Sequence, residues 1–273
     1  MLKTRVLTAL VLLAILLPVL YSANFYAFSA LALAFFAAAM WECQRLFKKP
    51  APIVMAVLWT GLLAYCLFHL KDFSYLLLFA LSTAFWALRL VPTLARGLPE
   101  AHNFSSGILS ALYGISIFAC FVAIAVFFQQ QSPMYLFSVM AIVWIADIAA
   151  YFSGKAFGKR KLAPSISPGK SWEGAIGGWI CVLILAGATS FVPALQNTFT
   201  AQLLARKGWL IFVVIMTLIT AASVIGDLFE SSLKRRVGMK DSSNLLPGHG
   251  GVLDRIDALI PVLPLAALVD LWR

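Results

Sequence analysis

Asp254 and Asp257 stand three residues apart in "GHGGVLDRID". That spacing puts both carboxylates on one face of a helix, with Arg255 turned about 100° away. Two carboxylates so close repel each other unless a cation stands near them. Mg2+ is usually held by one or two carboxylates together with substrate phosphates. The pair, joined by Asp227 from "SVIGDLFESS", therefore predicts a divalent-metal site with Asp227 and Asp254 as ligands and Asp257 close by. A helix dipole alone favours acid at a helix N-terminus, but it accounts for one aspartate and not for the cluster.

Groups suited to phosphate surround these acids. Gly248, Gly250 and Gly251 flank His249 just before the last apolar segment, so backbone N–H groups and a helix N-terminus can approach an anion closely. Lys234, Arg235, Arg236 and Lys240 add positive charge, and arginine can fork across two phosphate oxygens. A second run, "GKAFGKRKLAPSISPGKSWEG", repeats this chemistry. In it, Ser167 and Pro168 read as an N-cap and first helical turn, with Lys170, Ser171 and Glu173 at the mouth of the next apolar segment. Two motifs are rejected. "GKS" at 169–171 has Pro164 where a P-loop needs glycine and no strand before it, and "SPGK" lacks the other elements of an S-x-x-K enzyme.

The elements that position these groups lie in oil. Hydrophobic residues make up 62% of the chain, charged residues 12%, and the mean hydropathy is +0.92, against about 25% charged residues in soluble proteins. The reading is an all-α, polytopic integral membrane protein of about nine transmembrane helices, each near the ~20 residues that cross a bilayer. They are expected at 4–22, 24–47, 51–70, 73–91, 106–128, 133–153, 172–192, 208–230 and 252–272. Period-2 alternation is missing, which argues against a membrane barrel. Lys3 and Arg5 before the first apolar run read as the flank of a first transmembrane helix and not of a cleaved signal peptide. Cys43, Cys66, Cys120 and Cys181 are scattered singly inside spans and read as packing residues.

The formal charge of +10 has a topological explanation and does not point to nucleic acid. With the N-terminus in the cytoplasm, seventeen cations fall on that side, and only Lys71, Arg206, Lys207 and Arg273 fall on the other. The basic loops 154–171 and 231–251 then face the cytoplasm together, and the C-terminus lies on the opposite side. One membrane domain, 1–273, is expected. Its N-terminal spans, 1–130, are poor in polar groups, and its C-terminal half, 131–273, carries the chemistry. An ionised residue at the bilayer centre costs about 2.5–3.5 kcal/mol, so Asp147 and Asp227, inside apolar runs, need partners. Glu42 and Glu230 read equally well as interfacial carboxylates that snorkel or pair with lysine. Pro261 and Pro264 interrupt the last span just beyond the aspartates, which predicts a hydrated cavity there. Gly174, Gly177 and Gly178 would allow close helix contact in a homo-oligomer.

At this point the residues carry a resemblance. S-x-x-K-R-x-x-x-x-K-D at Ser231–Asp241, continued by P-G-H-G-G-x-x-D-R-x-D at Pro247–Asp257, resembles the signature of the phosphatidate cytidylyltransferase (CDP-diacylglycerol synthase) family. "DIAAYFSGKAFGKRKLAPSISPGKSWEG" from Asp147 and "GDLFESSLKR" from Gly226 are similar to further family elements, so the likeness covers about 144–257. Ile148 and Ser171 depart from it, standing where the family often has threonine. The resemblance implies transfer of CMP from CTP to phosphatidic acid in the cell inner (cytoplasmic) membrane, giving CDP-diacylglycerol and pyrophosphate for phospholipid synthesis. On that expectation Asp227, Asp254 and Asp257 hold Mg2+, with room for a second cation. Lys170, Lys234, Arg235 and Arg255 neutralise phosphates, and Ser167, Ser171, Lys240, His249, Gly250 and Gly251 bind or orient substrate. Asp147 lines the same cavity as a metal ligand or as a cytidine or lysine partner. A CTP-dependent lipid kinase of the polyprenol type would use many of the same groups but move the γ-phosphoryl group. An ion-coupled transporter would explain intramembrane aspartates but leave the glycine-rich basic loop without a purpose.

Overall fold

The apolar runs of the sequence form helices. The computed structural model describes residues 2–22, 24–70, 74–101 and 103–272. Lys71 and Arg273, assigned above to the far side, lie outside the described residues, as do the side chains of Lys3 and Arg5. Seven helical segments are long and apolar enough to cross a membrane, and two shorter apolar helices accompany them. The chain is thus a mostly helical, multi-pass membrane protein.

In order, the helices are α1 (Leu2–Tyr21), α2 (Phe25–Leu46), α3 (Pro52–His69), α4 (Leu76–Phe85), α5 (Val91–Arg96), α6 (Phe104–Val126), α7 (Pro133–Phe157), α8 (Trp172–Ala188), α9 (Phe199–Arg236), α10 (Leu253–Ile256) and α11 (Leu259–Leu271). A π-helical turn at Trp86–Leu90 joins α4 to α5 in one span, and a second π turn extends α6 to Gln131. Side-chain caps fix several starts: Asn24 accepts from the amides of Tyr26 and Ala27, Ser132 from Tyr135, and Thr198 from Ala201. Pro133 occupies the first turn of α7, where its missing N–H costs nothing.

α6 is the central helix, flanked by α2, α4 and α11. Phe36, Phe118 and Phe121 meet edge-to-face at its contact with α2, and Tyr113 packs between Trp86 and Phe229. α7 and α8 pair closely through glycine. A Cβ on Gly174 would lie 2.8 Å from the Ala150 carbonyl oxygen, one on Gly178 would lie 2.7 Å from that of Ala146, and one on Gly177 would overlap Ser153. These three glycines, expected to serve contact between copies, serve contact within the chain and no longer argue for an oligomer.

Four expectations need correction. Ser167 is not an N-cap: residues Lys161–Ala163 (β1) and Ser167–Ser171 (β2) form an antiparallel hairpin, and Ser171 is the residue that caps α8 by accepting from Gly174 N at 3.2 Å. The extended backbone that Pro168 imposes on its predecessor suits a strand as well as a cap. Lys234, Arg235 and Arg236 are not in a loop but form the last turn of α9, where the helix dipole favours cations. α9 also begins before its expected start, with a break at Gly208 (φ 74°, ψ 172°) that separates a 199–207 segment from the span proper. Finally, the last span is divided. α10 is a single turn, and α11 has 13 residues, about 20 Å, short of a bilayer core. α11 tolerates this because α4, α6 and α9 surround it and Leu259 to Leu263 are buried in protein.

Candidate active site

Three chain segments converge at one end of the bundle: the β1–β2 hairpin, the last three turns of α9, and the 237–252 loop that leads into α10. Asp227 and Glu230 stand on α9, Lys170 on β2, and Asp254 and Asp257 at the start of the final helical pair.

Lys170 Nζ lies 2.6 Å from Asp227 Oδ2, and Ser231 Oγ donates to Asp227 Oδ1 at 3.2 Å. Asp147 on α7 lies within electrostatic reach of both Lys170 and Asp227. Asp257 caps the short turn of α10, and its Oδ1 accepts from Ala258 N at 2.7 Å. Asp257 also lies within electrostatic reach of the Asp227 carboxylate. Pro261 has no N–H for the carbonyl four residues back, and that carbonyl, of Asp257, packs onto Gly226, where any Cβ would overlap it. Glycine at 226 is what lets α9 bring Asp227 beside Asp257.

Asp254 turns the other way. Its Oδ1 lies 2.6 Å from Lys234 Nζ, and its Oδ2 accepts from Ser242 N at 2.8 Å, Ser242 Oγ at 2.9 Å and Gly251 N at 2.8 Å. Lys234 and these donors offset the cost of burying its carboxylate. Lys234 also pairs with Glu230 one turn back on α9; Glu230 is fully buried.

The expected metal set of Asp227, Asp254 and Asp257 is therefore not gathered. Among the described residues no group of three or more His, Cys, Asp or Glu side chains could hold a metal ion. Asp254 and Asp257 stand three positions apart on a helical stretch, but Asp254 meets Lys234, Ser242 and Gly251 on its two oxygens, whereas Asp227 meets only Lys170 and Ser231. What remains is the Asp227–Asp257 pair, with Asp147 nearby and the Lys170 ammonium standing where charge must be balanced. Its chemistry fits Mg2+, which takes one or two carboxylates and completes its shell with phosphate oxygens and water.

The glycine loop is held open by contacts that leave no room for larger residues. Gly248 and Gly250 have φ of 76° and 82°, and Leu246 and Gly250 form an isolated bridge. A Cβ on Gly250 would lie 2.7 Å from Asp254 Oδ2. His249 Nδ1 is buried without a hydrogen-bond partner, an orphaned polar atom at the loop's centre. Arg235 donates to the Ile166 and Met239 carbonyls, both at 3.3 Å, tying hairpin to loop. Ser167 lies opposite Ala163 in the hairpin, and Arg255 and Lys240 are exposed. Two cavities among the described residues lie away from the aspartates, one lined by Cys66, Tyr75 and Gln129 and the other by Tyr135, Arg206 and Asp270.

The sequence reading missed what Glu42, Ser242 and Ser243 do at the site, and it gave Arg236 to phosphate where the structure ties it to α2 and α6. Glu42 from α2, fully buried, accepts from Ser243 Oγ, from Val252 N at 3.1 Å and from Leu253 N at 2.6 Å. Arg236 donates to the Pro99 and Leu46 carbonyls and to Ser106 Oγ and lies over the Phe47 ring. Ser242 and Ser243 are buried. A lone glutamate in an apolar run was a signal for Glu42, but nothing in the sequence named its partner, which lies two hundred residues away. For the serines there was no signal.

A sequence profile described as the cytidylyltransferase family matches residues 3–271. Proteins named phosphatidate cytidylyltransferase are similar over nearly full length. That of Haemophilus influenzae is 37% identical, covering 97% of this chain and 96% of its own. That of Pseudomonas aeruginosa is 38% identical over 100% and 97%, and that of Bacillus subtilis 34% identical over 96% and 95%.

Proposed function

Because the chain belongs to the cytidylyltransferase family, we propose that it acts as a phosphatidate cytidylyltransferase of a cell inner membrane, with its hairpin and glycine loop facing the cytoplasm. A phosphate oxygen of phosphatidic acid attacks the α-phosphorus of CTP. The bond from that phosphorus to the oxygen bridging to the β-phosphorus breaks, and pyrophosphate leaves with the electron pair. The lipid phosphate is already ionised near neutral pH, so the attacking oxygen needs little general-base help; the barrier is the approach of two polyanions.

This chain's residues meet that barrier with fixed charge. Lys170 presents its ammonium group at the converging end of the bundle, Lys234 balances the buried Glu230 and Asp254 carboxylates behind it, and Arg235 ties the hairpin to the loop. The orphaned His249 Nδ1 and the Gly250 backbone would offer contacts to an anionic ligand, with the exposed Lys240 and Arg255 as further cations and Ser167 and Ser171 holding the hairpin and the start of α8. Asp227 and Asp257, with Asp147 near, would hold Mg2+, and a second cation could balance the remaining acid. When bound, that ion would neutralise phosphate charge as a Lewis acid. Asp254 serves this site by shaping the loop and not as a ligand.

The observation that carries the reading is the Lys170–Asp227 ion pair with Asp257 beside it, where the hairpin, α9 and the glycine loop converge. The test is α-labelled CTP with phosphatidate and purified protein, with and without Mg2+. Label in the lipid phase only with Mg2+ is expected. Label that stays in water, or enters lipid only from γ-labelled CTP, overturns the reading, the latter in favour of a lipid kinase.

A further inference from the structure

Glu42, on α2, reaches the glycine loop with each hydrogen bond that its carboxylate accepts. It is fully buried, and its three acceptor contacts all go to residues 243–253: Ser243 Oγ, Val252 N and Leu253 N. The last two are orphan amides at the start of α10, whose positive end a carboxylate stabilises. On the opposite side of the same turn, Asp254 takes Ser242 N, Ser242 Oγ and Gly251 N. Gly251 is pressed between the two: a Cβ there would overlap both Ser242 Oγ and Glu42 Oε1. The loop 242–253 is thus clamped by two carboxylates, one from its own helix and one from α2.

A buried carboxylate is expensive to keep unless its partners matter. Capping one helical turn of four residues is a small structural return, since α10 contributes little packing of its own. The position of that turn sets where Asp257 and the His249 backbone lie.

We propose that Glu42 is a positioning residue for the nucleotide side of the site: it fixes the glycine loop in the register that receives the CTP phosphates, and so couples the N-terminal spans to catalysis. This inference rests on the proposed role of the loop in holding the nucleotide. Glu42→Gln keeps the shape of the side chain but turns an NH2 group against an amide donor, whichever way the amide is flipped. The loop then shifts while the bundle around it stays packed.

Purified full-length protein in mixed micelles, assayed with CTP and phosphatidate varied separately, tests this. Glu42→Gln is expected to raise the KM for CTP by at least about tenfold, equivalent to ~1.4 kcal/mol, with the KM for phosphatidate unchanged and the unfolding temperature near that of the parent. A fall in kcat with both KM values unchanged, or an equal rise in both, is the mark of a merely structural role and overturns the proposal. If Glu42→Gln does not accumulate, Ser243→Ala decides, since it removes one of the three contacts: the same split at smaller size supports the proposal, and no split overturns it. Lys240→Ala and His249→Ala separate the underlying reading. If both leave the KM for CTP unchanged, the loop does not hold the nucleotide and the proposal falls with that reading; if both raise it and Glu42→Gln does not, only the positioning role fails.

Discussion

Replacing Lys234 by methionine puts the electrostatics of the site to a quantitative test. Its ammonium pairs with Glu230 and lies 2.6 Å from Asp254 Oδ1. The side chains are nearly sealed from solvent, at 10% exposed for Lys234, 0% for Glu230 and 4% for Asp254. Asp254 keeps three other donors, but Glu230 Oε1 has no hydrogen-bond partner at all. Methionine therefore leaves one buried carboxylate with nothing to balance it. Removing one partner of a buried ion pair costs about 3–5 kcal/mol. At about 2–4 °C per kcal/mol for a chain of this size, the unfolding temperature should drop by roughly 6–20 °C. The assay is thermal unfolding in detergent without substrate, so that loss of catalysis does not confuse the result. Adding Glu230→Gln to Lys234→Met should restore more than half of the loss, because the neutral amide no longer needs the ammonium. A drop under about 3 °C for the single variant, or no recovery in the double, refutes the claim that Lys234 is what keeps Glu230 in the fold.

Three further outcomes follow from the geometry. Gly226→Ala forces α9 away from the Asp257 carbonyl and Pro261; about 1–3 kcal/mol of overpacking is expected, with a larger loss of activity than of stability because Asp227 moves with the helix. Ser171→Ala removes the cap of α8 and should cost about 1 kcal/mol in unfolding measurements while leaving the hairpin paired. Asp257→Asn keeps the size of the side chain and an oxygen that can accept from Ala258 N, so the unfolding temperature should stay near the parent's while activity with Mg2+ falls at least about tenfold, and activity within about twofold of the parent would sink the assignment.

How much of this was legible beforehand can be traced residue by residue. The spans were visible because apolar runs of bilayer length leave the backbone no other way to satisfy its hydrogen bonds in lipid. The site's address was visible too, since Asp227, Lys170 and the glycine loop stand out against an apolar background and the family signature runs through them. Partnership was harder to see. Asp254 and Asp257 are neighbours in sequence and were read as co-ligands, yet Asp254 is bound to Lys234, Ser242 and Gly251, while Asp257 faces Asp227. Helical spacing could not reveal that division, because it comes from donors brought by other segments, Lys234 on α9 and Ser242 in the loop. Ser167 was misread for a related reason: Ser-Pro opens helices and fits strands alike, and only pairing with β1 decides between them.

The sequence by itself determined that this is a multi-span membrane protein with phosphate chemistry gathered near its C-terminal end, because hydropathy and residue type act locally and need no partner to be read. The tertiary structure alone decided which carboxylate meets which cation, and that a glutamate in the second helix grips a loop two hundred residues away. Those choices depend on which helices pack together, and the packing is set by close contacts such as Gly226 on the Asp257 carbonyl, which no single segment encodes.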